Sequence, residues 1–423
     1  MKISIVGAGY VGLATGVGFA SMGHSVICVD VDAERVRKLN RGEPPIYEPM
    51  LEEYLRKALE ENRFEATTEL GRAIRQSEVI FICVGTPSKP DGSMDPVFIE
   101  QASRDIGQAM KDRGGYPVVT VKSTVVPGTT EGVVIPLLER NSGKRAGAGF
   151  GVCVNPEFLR EGQALSDFFN PDRVIIGELD GRSGDTLHQL YRDFKCPILR
   201  TDLRTAEMIK YASNAFLAAK ISFINEIGNI CKRLGIDVYE VARGMGLDRR
   251  ISPHFLNAGI GFGGSCFPKD VRALMARARE LGYEPRLLEA VMALNEDQPL
   301  RLLELLRKHL PDLRGRTIGV LGLAFKPGTD DVREAPSIRI VGELLREGAA
   351  VKAYDPKAMD NFRRIFPQLQ YCGRAEEVLD SDAVLILTEW EEFRRLDYSG
   401  KVVIDGRRIE EARKARVYEG VCW

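Results

Sequence analysis

Short β-branched apolar runs alternate with amphipathic stretches along this chain, the pattern of strands feeding helices. Lys2 to Val6 predicts a strand that runs into Gly7-Ala8-Gly9-Tyr10-Val11-Gly12. An amphipathic helix follows to about Met22, then a second strand, Ser25 to Val29, ending at Asp30. Further strands are expected at Val79–Val84, Val118–Lys122, Val152–Val154 and Val174–Ile176, the last of its domain. Leu203 to Leu234 contains no proline and predicts one long helix, and helical patterning continues to about His309. After Arg314-Gly315-Arg316, which reads as a linker, the strand–helix–strand layout returns. It comprises Thr317–Leu321, helix Ser337–Glu347 and Ala350–Tyr354 ending at Asp355, then strands at Ala383–Leu387 and Val402–Ile404.

The first turn matches G-x-G-x-x-G in the context that gives the motif meaning: strand before, helix after, acidic residue closing the next strand. Gly7 suits the tight turn, Gly9 the approach of a pyrophosphate and Gly12 close helix–strand packing. Tyr10 and Val11 open the helix whose N–H groups face the phosphates. Asp30 suits the adenosine ribose hydroxyls and repels a 2′-phosphate, which favours NAD over NADP; nearby Arg35 tempers that inference. The expected fold is α/β, with two Rossmann-like doubly wound parallel sheets joined by a long central helix and a helical dimerisation region. The expected domains are 1–200, 201–312 and 313–423.

The chain has 423 residues and a net charge of -1, which gives no electrostatic reason to expect a nucleic-acid or membrane partner. Its eight cysteines show no metal-ligand spacing and suggest reduced thiols in the cytoplasm. No metal is expected. A strand beginning at Lys2 leaves no room for a signal peptide.

The segment Gly261-Phe262-Gly263-Gly264-Ser265-Cys266-Phe267-Pro268-Lys269-Asp270 carries the most specific chemistry. Its glycines allow backbone to approach a ligand. Pro268 is expected as the first helical residue, with Asp270 in the first turn. A thiol at a helix start beside Lys269 is a candidate nucleophile. Asn155 to Gly162 places two carboxylates, Glu157 and Glu161, on a turn after a strand. Gly85-Thr86-Pro87 and Ser123-Thr124 follow strand ends, where open sheets bind ligands. Lys210 and Asn214, four apart, share a helix face and could aim two donors at one oxygen; taken alone, a solvated stripe is the plainer reading. Lys326, Arg333 and Arg407 are cations near strand ends of the second sheet, suited to phosphates, though each alone reads as a surface charge. An activated cysteine beside a nicotinamide suggests an aldehyde captured as a thiohemiacetal and oxidised to a thioester.

These motifs, in this order along essentially the whole chain, resemble the nucleotide-sugar 6-dehydrogenases. The resemblance implies oxidation of a UDP-sugar C6 alcohol to a carboxylate with two NAD in turn, by a homodimer. It assigns catalysis to Cys266, Lys210, Asn214, Asp270, Thr124 and Glu157. Thr124 and Asp270 would hold a water that takes the hydroxyl proton, Lys210 and Asn214 would stabilise the oxyanion, and Glu157 would be the hydrolytic base. Cofactor contacts fall to Gly7, Gly9, Tyr10, Val11, Gly12, Asp30, Arg35, Thr86, Thr124, Glu161, Lys269 and Arg333. Substrate contacts fall to Glu157, Phe158, Leu159, Glu161, Lys210, Asn214, Asn257, Gly259, Gly261, Phe262, Gly263, Lys326 and Arg407. Arg250 would reach the neighbouring subunit's substrate. One departure is Val125-Val126-Pro127, where many members place proline directly after the first valine.

Members acting on GDP-mannose, UDP-N-acetylglucosamine or UDP-N-acetylmannosamine would share nearly all this chemistry, and two readings of other classes stand beside this one. A hydroxyacid dehydrogenase sharing the first domain would need no cysteine. A protein that binds NAD and a UDP-sugar without turnover would need neither the thiol nor the donors around it.

Overall fold

The computed structural model describes residues 1–423, and the chain divides into two compact units, Met1–Ser213 and Asn214–Trp423. The first is built on eight strands: β1 (Lys2–Val6), β2 (Ser25–Val29), β3 (Phe64–Thr67), β4 (Val79–Ile82), β5 (Val118–Val121), β6 (Gly151–Val154), β7 (Val174–Glu178) and β8 (Ile198–Thr201). Their spatial order is β3-β2-β1-β4-β5-β6-β7-β8. The register of β1 sets Ile3 against Val26 and Val79, and Ile5 against Cys28 and Phe81. The central strands β4, β5 and β6 are buried without alternation because helices cover both faces. Phe19, Phe81, Phe168, Tyr191 and Phe194 fill one side in a run of edge-to-face and stacked rings.

Val174–Ile176 does not close this sheet, contrary to expectation. β7 runs to Glu178, pairs antiparallel with β6, and passes the edge to β8 in parallel. The sheet is therefore parallel except at one joint. β8 escapes sequence detection because its residues are half-buried or exposed, as an edge strand allows.

The second unit carries β9 (Thr317–Leu321), β10 (Ala350–Tyr354), β11 (Gln370–Tyr371), β12 (Ala383–Ile386), β13 (Val402–Asp405) and β14 (Val417–Gly420). Their order is β11-β10-β9-β12-β13-β14, all parallel. The core beneath it is aliphatic, from Ile318, Val320, Ile340, Leu344, Leu385 and Ile404 to Leu302 and Leu306 of helix Arg286–His309.

The long helix Leu203–Leu234 forms as its sequence predicts. Its buried face mixes apolar residues such as Ala206, Tyr211, Ala218 and Ile224 with a run of polar ones. Glu207, Lys210, Asn214, Ser222 and Asn225 are buried, whereas Met208, Phe216, Phe223, Ile230 and Leu234 are exposed. The buried polar groups follow helical spacing and so form one stripe. The solvated-stripe reading of Lys210 and Asn214 is thereby overturned. No helix is long and apolar enough to cross a membrane.

Candidate active site

The fingerprint turn is shaped for a dinucleotide. Gly7 has φ +105°, and a Cβ on Gly12 would lie 1.9 Å from the Gly7 carbonyl oxygen, so both positions exclude a side chain. Gly9 differs: a Cβ there would meet nothing within 4 Å. That open side faces the start of helix Tyr10–Ser21, which has no side-chain cap and no acidic residue in its first turn. Its N–H groups are left for an anion. Asp30 accepts from Ala8 N at 2.8 Å and pairs with Arg35 at 3.0 Å, which fixes its carboxylate at the end of β2. Arg35 thus neutralises Asp30 in part. Beyond β4 and β5, Thr86 Oγ1 donates to the Thr124 carbonyl at 2.9 Å and Ser123 Oγ to that of Val84 at 2.6 Å. The two turns are tied as one, with Thr124 half-buried.

Within the first unit, Glu157 meets Lys210 at 2.8 Å with both side chains almost fully buried. Burial alone would push the Glu157 carboxyl up. The Lys210 ammonium, the Leu159 N–H and Lys122 outweigh it, and the net shift is downward. Phe158 stacks under the Arg173 guanidinium at 3.9 Å, and Leu159 N donates to Glu157 at 2.6 Å. Lys122, the residue after β5, was not singled out from sequence. It is buried, donates to Asn155 Oδ1 at 2.8 Å, and burial pulls it down to about 8. Tyr191 donates to the same oxygen at 2.6 Å. A lysine ending an apolar strand beside Ser123-Thr124 was the available signal. Glu207 was also missed as an anchor; it accepts from Gly128 N and Thr130 N, 2.6 and 2.9 Å, and so holds the loop after Thr124.

Within the second unit, Cys266 is half-buried at the N-cap of helix Phe267–Glu280. Phe267 is the first helical residue, so Pro268 stands one position later than expected. None of the eight cysteines is in a disulfide. Asp270, 2% exposed, accepts from Asn214 Nδ2 at 2.6 Å and from Lys269 Nζ at 2.6 Å. The two donors one turn apart on the long helix therefore each hold a carboxylate: Lys210 on Glu157 and Asn214 on Asp270.

The glycines of the cysteine loop answer to protein neighbours. A Cβ on Gly261 would lie 2.7 Å from Asn295 Oδ1, one on Gly263 2.3 Å from the Glu334 carbonyl oxygen, and one on Gly264 2.8 Å from the Phe325 ring. Gly264 N donates to the Arg333 carbonyl at 2.9 Å, which joins this loop to the loop after β9. Buried amides hold the preceding segment. Asn295 bonds both N and O of Phe262, Gln298 donates to the Gly259 carbonyl, and Asn225 accepts from Gly259 N. Asn257 stays exposed. Arg407 donates to the Leu387 and Phe325 carbonyls at 2.8 and 3.2 Å, Lys326 lies over the Phe325 ring at 5.6 Å, and Arg333 grips Asp331 at 2.7 Å. Arg250 is 90% exposed and pairs with Asp248 at 2.7 Å.

Three family models match: the NAD binding domain of the UDP-glucose/GDP-mannose dehydrogenase family at residues 1–195, its central domain at 204–297 and its UDP binding domain at 319–412. The chain belongs to the UDP-glucose/GDP-mannose dehydrogenase family. A UDP-glucose 6-dehydrogenase of Haloferax volcanii is 45% identical, with 100% of each chain covered. A GDP-mannose 6-dehydrogenase of Pseudomonas putida is 40% identical over 100% of each. The structure of a UDP-glucose dehydrogenase from Pyrobaculum islandicum matches with a TM-score of 0.97 and 46% identity, covering 100% of this chain and 97% of that one. The two-sheet α/β fold and the NAD domain expected from sequence agree with these relatives.

Proposed function

We propose that this family member oxidises UDP-glucose at C6 to UDP-glucuronate with two NAD per sugar. The observation that carries the reading is the thiol at the start of a helix whose first turn holds the buried, doubly bonded Asp270. NAD, when bound by the Gly7–Gly12 turn and Asp30, supplies the hydride acceptor for each oxidation.

The chain's own groups do the rest. Asp270, held by two donors, takes the C6 hydroxyl proton through water, with Thr124 as the second water-holding residue. The Cys266 sulfur adds to the aldehyde carbon, and the new alkoxide is stabilised by the donors Lys210 and Asn214. Oxidation of that thiohemiacetal leaves a thioester. Water cleaves its C–S bond, giving the carboxylate and returning the thiol, with Glu157 as the base. Lys210 holds Glu157, so the donor must loosen from the carboxylate before it can serve the oxyanion.

The segments 1–200, 201–312 and 313–423 are taken as NAD-binding, dimerising and UDP-sugar-binding parts. The residues around Gly259–Gly263, with Lys326 and Arg407, contact the sugar nucleotide, and Glu161, Thr86, Lys269 and Arg333 contact the cofactor. The homodimer is supported by the exposed apolar stripe Phe216, Phe223, Ile230 and Leu234, which one second copy would cover. Arg250, projecting from the surface, is free of any deep anchor within its own chain and is assigned to the partner's substrate. The eight thiols fit a cytoplasmic location.

NADH appearance with UDP-glucose, GDP-mannose and UDP-N-acetylhexosamines in parallel tests the reading. UDP-glucose alone is expected to yield two NADH per sugar, and Cys266→Ser to yield no carboxylate at steady state. Preference for another sugar would move the substrate assignment within the family. Equal rates for wild type and Cys266→Ser would refute the thioester route. Phe216→Glu with Phe223→Glu is expected to halve the mass in light scattering; an unchanged mass refutes that interface.

A further inference from the structure

Tyr10 and Glu48 join two segments that the functional reading gives to different ligands. Tyr10 directly follows Gly9 at the open side of the fingerprint turn. Its hydroxyl donates to Glu48 Oε2 and accepts from Gly162 N at 2.7 Å. Glu48, 7% exposed, accepts from Gly162 N at 2.8 Å through Oε2 and from Ala164 N at 2.7 Å through Oε1. From Asn155 to Gly162 the chain has no helix or strand to hold it. Its other ties include Lys122 and Tyr191 on Asn155, Lys210 and Leu159 N on Glu157, and Arg160 on Asp167. The joint at Glu48 is what connects the segment to the start of the fingerprint helix, 114 residues separating Glu48 from Gly162.

We propose that Glu48 is a positioning residue which, with Tyr10, couples the occupancy of the NAD turn to that of the Glu157–Gly162 segment. This rests on the reading of the protein as an NAD-dependent UDP-sugar dehydrogenase. A ligand seated beside Gly9 fixes where Tyr10 stands. The Tyr10 oxygen is the acceptor for Gly162 N and the donor to Glu48, so a shift in its position pulls on the Gly162 end of the segment that carries Glu157, Phe158 and Glu161. A sugar nucleotide that needs one arrangement of the segment favours the matching position of Tyr10. Coupling of this kind is reciprocal: each ligand changes the affinity for the other by one common factor. A carboxylate is suited to the joint because its two oxygens accept from three donors at once, which no amide side chain can do.

The test uses NADH with UDP-glucose, a pair that cannot react. The Kd of each is measured alone and with the other saturating, for wild type, Tyr10→Phe and Glu48→Gln. In wild type the two factors are expected to agree and to depart from one by about fivefold or more. In both variants the factor is expected to approach one, whatever happens to the binary Kd values. A factor of one in wild type overturns the proposal. So does a wild-type factor retained in variants whose binary affinities or melting temperature change, since that is the behaviour of a merely structural tie. If Glu48→Gln does not fold, Tyr10→Phe, which removes one oxygen, decides the matter. Failure of wild type to bind NADH or UDP-glucose at all refutes the functional reading itself, a result separate from the loss of coupling.

Discussion

The first five strands of the two sheets follow the same spatial order, third-second-first-fourth-fifth, yet the acids that end their second strands serve opposite ends. Asp30 bonds one loop N–H, its neighbour Asp32 N and Arg35, beside a glycine with open space. Asp355 is fully buried and accepts from Leu323 N, Ala324 N, Lys357 N, Ala358 N and Trp390 Nε1. The second sheet has turned its ligand-facing acid into a staple for its own turn. A glycine inside its first strand is closed in: a Cβ on Gly319 would lie 2.5 Å from the Val378 carbonyl oxygen. One topology thus leaves the acid after its second strand lightly bonded at one end of the chain and fully committed to its own turn at the other.

The sharpest way to break this comparison is to remove both acids. Asp355→Ala strands three buried donors, Leu323 N, Ala324 N and Ala358 N, and is expected to cost about 3–9 kcal/mol, at roughly 1–3 kcal/mol for each unsatisfied buried group. Asp30→Ala is expected to cost about 1 kcal/mol of stability and to raise the Kd for NAD. Chemical denaturation and NAD titration of the two variants check this; equal stability losses would refute the contrast.

Alanine at the two glycines sharpens it. Gly9 has φ -79°, which alanine adopts without strain, so Gly9→Ala is expected to leave the melting temperature unchanged. Its methyl group would stand where the cofactor approaches, weakening NAD by about tenfold or more, near 1.4 kcal/mol. Gly319→Ala is expected to lose about 1–3 kcal/mol of stability through overpacking and to leave NAD affinity intact.

The smallest effects come from the ends of the fifth strands. Burial pulls Lys122 down to about 8 and pushes Asp405 up to about 6. The unfolded chain keeps the Lys122 proton to higher pH than the fold does, so stability from this group rises with pH above about 8. The fold keeps the Asp405 proton after the unfolded chain has lost it, so stability from that group falls as pH rises from about 4 to 6. Melting temperature against pH should lose the first slope in Lys122→Met and the second in Asp405→Asn. A slope that survives its own substitution refutes the assignment.

Much of the frame was legible in the chain. Lys2–Val6, Ser25–Val29, Thr317–Leu321, Ala350–Tyr354 and the long helix Leu203–Leu234 form at the residues the pattern indicates. Central parallel strands are apolar on both faces, and that signal survives without context. β3, β8, β11 and β14 did not show, being short or half-exposed at sheet edges. The candidate site was legible where chemistry is rare in sequence: a cysteine after glycines, a fingerprint between strand and helix. Glu48, Lys122, Glu207, Asn295 and Gln298 were not, because nothing local separates a buried anchor from a surface polar residue.

Residue order alone determined the alternation of strands and helices, the dinucleotide turn, the long helix and the thiol at a helix start. These follow from periodicity, glycine sterics and capping, which act over a few residues. The tertiary structure decided which face of the long helix is buried, that Lys210 and Asn214 each meet a carboxylate, and that the cysteine-loop glycines make room for Glu334 and Phe325. It also decided that Asp30 and Asp355, alike in sequence position, differ in what they bind. Each of these depends on groups brought together from distant parts of the chain, where burial makes a polar side chain either find a partner or cost the fold its stability.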